Sequence, residues 1–194
     1  MSSYERLEKS YKNALKLKIL NMNDIVGQKN KIIDELEKSS VFNPIIWIKY
    51  DPEINYNKFL NELKSILNPI IIIPVIFIEL NYKNLIEFSD WISKFKFFDY
   101  LRIIPVLIID DQFKINDLFE INDLFNKLDE LKLFNIGFKF SEDSEINEIY
   151  LFLDSLKKNN INEGIFVFIP LKIRSILKHD KIKNGYNFPI CYIP

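Results

Sequence analysis

Short apolar runs alternate along the chain with longer stretches in which apolar residues recur at every third or fourth position. Five of these runs share one layout and a sixth nearly does, and their first residues lie 30, 31, 29, 30 and 25 positions apart. The runs occupy residues 44–49, 74–79, 105–110, 134–139, 164–169 and 189–194. A regular period of this length indicates that one structural unit, a strand followed by an amphipathic helix, is repeated.

The runs are apolar at consecutive positions rather than at alternate ones. This pattern is typical of strands that are covered on both faces, as in a parallel sheet. Strands that alternate with helices predict βαβ units with right-handed crossovers. Proline opens several of the runs, and the start of a strand tolerates proline because that amide need not join the ladder. The apolar stripes predict four helices within 59–67, 85–95, 118–131 and 146–156, and a short fifth over about 171–177.

These features predict an α/β protein of six βα-type units with a mainly parallel sheet. Two architectures fit the pattern: an open doubly wound sheet and an incomplete (βα) barrel. A full barrel needs eight strands and about 250 residues, whereas this chain has 194 residues. The regular period favours barrel-like units, and the length favours an open or truncated sheet.

The first forty residues do not resemble the repeat. Residues 3–19 and about 24–38 each carry a helical stripe of apolar residues, so we expect two helices before the first strand. The predicted organisation is a helical segment over 1–40 and a βα-repeat domain over 41–194. These helices, or an open edge of the sheet, could contact a protein partner or a second copy of the chain.

Composition narrows the classes of partner. The formal net charge is −1, and three of the 26 cationic residues are arginine, which disfavours a nucleic-acid binder that relies on phosphate neutralisation. The most apolar run, residues 69–78, falls short of the roughly 20 residues of a membrane span, so no membrane contact is predicted. Cys191 is the only cysteine, which favours a reducing, cytoplasmic setting.

Common cofactor signatures are missing from the sequence. The four glycines are scattered and form neither a dinucleotide-binding loop nor a phosphate-binding loop. His179 is the only histidine, which excludes a histidine-based metal cluster. Cys191 lies inside the last apolar run, where we interpret it as a small core residue. We therefore predict no cofactor, and leave open a divalent metal held by carboxylates.

Both architectures place ligands at the carboxyl ends of the parallel strands. Aligning the runs puts four charged residues at one register: Lys49, Glu79, Asp110 and Lys139. Because side chains alternate along a strand, we expect these charges to gather if their face points inward. Neighbouring polar residues complete the candidate ligand-binding set of Lys49, Asp51, Asn81, Asp111 and Glu142.

The catalytic candidates are Glu79, Asp110 and Lys139. Adjacent strands lie about 4.8 Å apart, so Glu79 and Asp110 would lie close together if their strands are neighbours. Two such carboxylates could supply a general acid or hold a divalent cation. Lys139 beside an acid could form a Schiff base with a carbonyl compound. The competing interpretation is that these charges are solvated ion pairs at the ends of strands, with little energetic weight.

Two hypotheses about function follow. The leading one is a cytoplasmic α/β protein that binds a protein partner or a small ligand, because the sequence carries no catalytic motif and no phosphate loop. The alternative is a lyase or aldolase-like enzyme, or a divalent-metal-dependent enzyme, whose site lies at the carboxyl ends of the strands. The sequence does not identify the substrate or the partner.

Overall fold

The structure is a computed structural model of the chain. It describes residues 20–21, 28–30, 33–34, 45–53, 58–59, 61–62, 65, 75–93, 102–110, 118–131, 135–158, 164–177, 182, 185–186 and 188–193. The account that follows concerns these residues.

A parallel sheet forms the centre of the molecule. Its six main strands are β2 (Ile45–Lys49), β3 (Val75–Leu80), β4 (Arg102–Ile109), β5 (Ile136–Phe140), β6 (Ile165–Pro170) and β7 (Ile190–Ile193). A two-residue strand, β1 (Leu20–Asn21), pairs with β2 at the edge of the sheet. The strands lie side by side in the order in which they follow one another along the chain, and every neighbouring pair is parallel. The predicted α/β fold with a parallel sheet is confirmed.

Three helices with continuous bounds pack on one face of this sheet. They are α1 (Leu85–Ser93), α2 (Leu118–Glu130) and α3 (Ile146–Lys158). The larger core cluster joins buried residues of all three helices to one set of alternating strand residues. Phe138 of β5, for example, meets Phe152 of α3 with a ring-centroid distance of 4.8 Å. None of the helices in the described residues is long and apolar enough to cross a membrane.

The opposite face of the sheet forms a second core made from strand residues alone: Trp47, Phe77, Ile104, Val106, Phe168, Cys191 and Ile193. Trp47 of β2 and Phe168 of β6 form an edge-to-face pair with centroids 5.0 Å apart, although four strand spacings separate β2 from β6. In a flat sheet, four spacings would place them about 19 Å apart. The sheet is therefore curled into a half-barrel, with the helices outside and this second core inside.

The register shows how the strands are staggered. Trp47 is level with Phe77 and Ile104, whereas Phe168 lies four residues farther along its strand than the position level with Trp47. Four residues over the four spacings from β2 to β6 correspond to a stagger of one residue per strand, and inner side chains related by this stagger meet inside the half-barrel. This stagger equals that of an eight-stranded barrel with a shear of eight. The incomplete barrel is thus the observed architecture, and the doubly wound alternative, which needs a reversal of strand order, is wrong.

One strand begins earlier than predicted. β4 starts at Arg102, so Pro105 lies inside the strand and not at its beginning. The carbonyl of Ile109 accepts a bond from Ser141 on the β5 side, and backbone groups alternate between the two neighbours. The position of Pro105 therefore also faces the β5 side, where pairing begins only at Val106. Its missing amide hydrogen removes no bond of the β4–β5 ladder.

The amino-terminal region holds a strand that we did not predict. Leu20 is paired with Ile48, which makes β1 an edge strand of the same sheet. Two residues are too few to produce a recognisable alternation of apolar and polar positions. The predicted helix over 3–19 lies outside the described residues, and within 24–38 residues 29–30 and 33–34 are helical. The division into 1–40 and 41–194 stays a prediction.

Candidate functional site

Glu79 is a carboxylate inside the half-barrel. It lies near the carboxyl end of β3, on the face that also carries Phe77, and is 6 % exposed. Its Oε2 atom accepts a hydrogen bond from Trp47 Nε1 at 2.8 Å and another from Lys139 Nζ at 2.7 Å. A buried carboxylate needs such charge-assisted donors, since burial removes its hydration.

Trp47 is held by aromatic neighbours in the inner core. Its ring lies 5.3 Å from the ring of Phe77 and 5.0 Å from the ring of Phe168, measured between centroids. These contacts restrict the rotation of the indole, so its N–H group keeps one direction. Trp47 thereby orients the carboxylate of Glu79 from the side of the core.

Lys139 reaches Glu79 from β5, two strands away. The Cα of Lys139 is level with Ile108, whereas the residue of β5 level with Glu79 is Gly137. The contact therefore spans a shift of two residues over two strands, the same stagger that joins Trp47 to Phe168. The Lys139 amine also lies 5.8 Å from the centroid of the Trp47 ring, within the range of a cation–π contact.

The two charged side chains differ in their access to solvent. The Lys139 side chain is 22 % exposed and that of Glu79 is 5 % exposed. The Lys139 side chain is thus in partial contact with solvent, while the carboxylate of Glu79 is mostly covered.

Gly137 leaves room below this pair. A Cβ atom at this position would lie 2.8 Å from Val106 Cγ2 and 3.0 Å from Phe168 Cε2, closer than carbon atoms normally approach. Because Gly137 has no side chain, the ring of Phe168 can reach the middle of the barrel. The pair of Glu79 and Lys139 therefore rests on a filled aromatic floor.

Asp110 does not join Glu79 as predicted. The residue of β4 level with Glu79 is Val106, and Asp110 follows it by four residues, about 13 Å along the strand. The alignment failed because it took Pro105 as the first residue of the strand, whereas β4 begins at Arg102. Asp110 is half-buried just beyond the end of β4. The predicted pair of carboxylates is therefore wrong, although the predicted meeting of Glu79 and Lys139 is observed.

The remaining candidates that the structure describes lie around the rim. Lys49 is exposed and its Cα is paired in register with Glu79. Asp51 Oδ1 accepts a bond from the amide of Glu53, which closes a turn after β2. Asn81 opens a 3-10 turn (Tyr82–Asn84), and its carbonyl accepts a bond from the amide of Asn84.

Glu142 accepts a bond from Lys172 Nζ at 3.1 Å, and both side chains are exposed. Solvent screening makes such a pair worth about 0–1 kcal/mol. Asp111 and His179 lie outside the described residues. Within the described ranges, no three His, Cys, Asp or Glu side chains are grouped to hold a metal ion. Cys191 is buried in the inner core, as its place in an apolar run indicated.

Sequence reasoning missed the roles of Trp47, Gly137 and Phe168. Alternation along each strand was the available signal, because it places Trp47 two residues before Lys49 on the same face. Their convergence could not be derived without the curl of the sheet.

Comparison of the chain with protein-family models, curated proteins and solved structures gives no match.

Proposed function

We propose that the protein binds a small polar ligand at the carboxyl-end mouth of the half-barrel, in contact with the amine of Lys139. The observation that carries this proposal is the buried carboxylate of Glu79, which accepts bonds from both Trp47 and Lys139. The carboxyl end is also where barrels of this type bind their ligands.

The energetics of the pair support a role in binding. A buried ion pair contributes little net stability, because desolvation of both charges offsets their attraction. Apolar residues of similar volume often serve the fold equally well or better. A charged layer above a core of Trp47, Phe77 and Phe168 is therefore better explained by a ligand than by folding.

A second candidate function is catalysis on a carbonyl compound. The favouring observation is the 2.7 Å separation of Lys139 Nζ and Glu79 Oε2, which places a carboxylate directly beside a candidate nucleophile. A neutral amine at this position could attack a carbonyl carbon and form an imine with release of water. Borohydride reduction in the presence of pyruvate tests this candidate, because it would add a stable mass to Lys139. An unchanged mass of the peptide containing Lys139 would contradict it.

The binding proposal is tested by the fluorescence of Trp47. The chain has two tryptophans, so a Trp91→Phe background isolates the signal of the indole that touches Glu79. Butyrate, butylammonium and 1-butanol serve as probes with similar bodies and different charge. A saturable change with at least one probe, lost in Lys139→Met and kept in Lys172→Met, is the expected result. No saturable change with any of the three would contradict the proposal.

A further inference from the structure

One more layer of inner side chains lies above Glu79 and Lys139. Lys49 of β2 is level with Glu79, and the stagger of one residue per strand leads from Lys49 to Ile108 on β4 and to Pro170 on β6. These residues share the inner face of their strands with Trp47, Val106 and Phe168, because side chains alternate. Lys49, Ile108 and Pro170 therefore surround the entrance to the Glu79–Lys139 pair.

The entrance and the pair together carry more hydrogen-bond donors than acceptors. Lys49 is exposed and makes neither a hydrogen bond nor an ion pair with any described residue. Lys139 donates one of its N–H groups to Glu79. Glu79 is the carboxylate of this set, and Oε2 takes both of its bonds. Asp110 follows Ile108 by two residues and lies farther out, at the rim. Asp51 and Asp110 lie at the same rim as Lys49, so net charge does not select the ligand. The selection rests on Lys49, which has no hydrogen-bond or ion-pair partner among the described residues, and on the N–H groups of Lys139 that Glu79 does not occupy, because one anionic group can accept hydrogen bonds from both lysines.

The walls of the entrance are apolar. Ile108 is half-buried and Pro170 is buried, and neither side chain offers a hydrogen bond. A bare inorganic ion would leave these walls without a partner. A molecule with one anionic group and a short apolar body satisfies both the lysines and the walls.

We infer that the ligand is a small organic carboxylate. Its carboxylate lies between the ammonium groups of Lys49 and Lys139, and its apolar body lies against Ile108 and Pro170. This inference rests on the proposed binding function and adds the chemical class of the ligand.

The experiment compares four probes by thermal unfolding of the full chain: butyrate, 1-butanol, butylammonium and inorganic phosphate. A ligand that binds the folded state raises the unfolding temperature as its concentration exceeds its dissociation constant. Butyrate should raise it in a saturable way, and the other three probes should leave it unchanged. Lys49→Met should weaken the butyrate response at least tenfold, and since Lys49 is exposed, this variant should fold normally. Lys172→Met, an exposed rim lysine already paired with Glu142, is the matched control and should respond like the parent chain.

Each outcome separates the ligand class from the binding function. A response to 1-butanol or butylammonium without one to butyrate would overturn the carboxylate and leave binding in place. Phosphate acting as strongly as butyrate would overturn the role of the apolar walls. An undiminished butyrate response in Lys49→Met would overturn the two-lysine site. If none of the four probes raises the unfolding temperature and Trp47 fluorescence is also unchanged, both the binding proposal and this inference are refuted.

Discussion

The Glu79–Lys139 pair makes a quantitative prediction about stability that separates a functional pair from a structural one. Lys139→Met removes the cation and leaves a carboxylate that is 6 % exposed with Trp47 as its remaining donor among the described residues. Breaking a buried pair in this way costs about 3–5 kcal/mol, because one charge stays buried without compensation. We expect Lys139→Met to lower the free energy of unfolding by an amount in this range.

The double variant Glu79→Met/Lys139→Met removes both charges and should recover most of that loss. Replacement of a buried ion pair by apolar residues ranges from neutral to about 4 kcal/mol stabilising. The Trp47 N–H loses its acceptor, which costs about 1–3 kcal/mol. The two effects oppose each other, so the double variant should lie within about 3 kcal/mol of the parent chain.

Urea denaturation followed by circular dichroism measures the parent chain, the single variants Glu79→Met and Lys139→Met, and the double variant. The exposed pair of Lys172 and Glu142 provides the control, since Lys172→Met should change the free energy of unfolding by less than about 1 kcal/mol. A double variant that is destabilised by the sum of its single changes would refute the reasoning. In that case the charges would stabilise the fold independently, and their retention would need no ligand.

Three further predictions test the surroundings of the site and the end of the chain. Gly137→Ala should lower the free energy of unfolding by about 1–3 kcal/mol in urea denaturation, because the new methyl group overlaps Val106 and Phe168. Trp47→Phe removes a donor to Glu79 and should cost about 1–3 kcal/mol. This cost should fall when Glu79 is also replaced by methionine, and equal costs in both backgrounds would argue against the bond. Burial, and then the 2.6 Å hydrogen bond to Asp154, raise the pKa of Tyr186, so the folded state keeps its phenolic proton where the unfolded chain loses it. The parent chain should therefore lose stability as pH rises above about 10, by up to about 1.4 kcal/mol per pH unit, and Tyr186→Phe should show a smaller slope in denaturation measured from pH 8 to 11.

Much of the fold could be predicted because it depends on local patterns. Consecutive apolar residues in a run such as 165–169 identify a strand covered on both faces, and the observed β6 begins at Ile165. The helical stripe that includes Ile149 and Leu153 identified the face of α3 that packs on the sheet, where both side chains are fully buried. The regular period then determined the parallel arrangement, since each helix must return the chain to the same edge.

The register could not be predicted in the same way. Proline at position 105 resembled the start of a strand, but the start of β4 is determined by its pairing with β3, which extends back to Arg102. That shift moved Asp110 to the rim and put Val106 beside Glu79. A sequence pattern has a period of two along a strand and therefore does not report how far neighbouring strands slide past each other.

The stagger also explains why Lys139 contacts Glu79, although the alignment that brought the two residues together was incomplete. We aligned Lys139 with Glu79 at one register, whereas the structure places Lys139 two residues beyond the position level with Glu79. Two strands of a curled, staggered sheet compensate for that offset and bring the side chains together. The contact between Glu79 and Lys139 is thus a consequence of the curl, which a flat sheet with the same register would not produce.

Access to the pair follows from the packing of the interior. Below Glu79, the barrel is filled by the rings of Trp47, Phe77 and Phe168, whose centroids lie 5.0 to 5.3 Å from one another. A molecule cannot pass through a core packed at this density. The proposed ligand would therefore approach from the carboxyl end of the strands, where Lys139 is 22 % exposed. The aromatic core thus does more than stabilise the sheet, because it fills the barrel on the amino-terminal side of the Glu79–Lys139 pair.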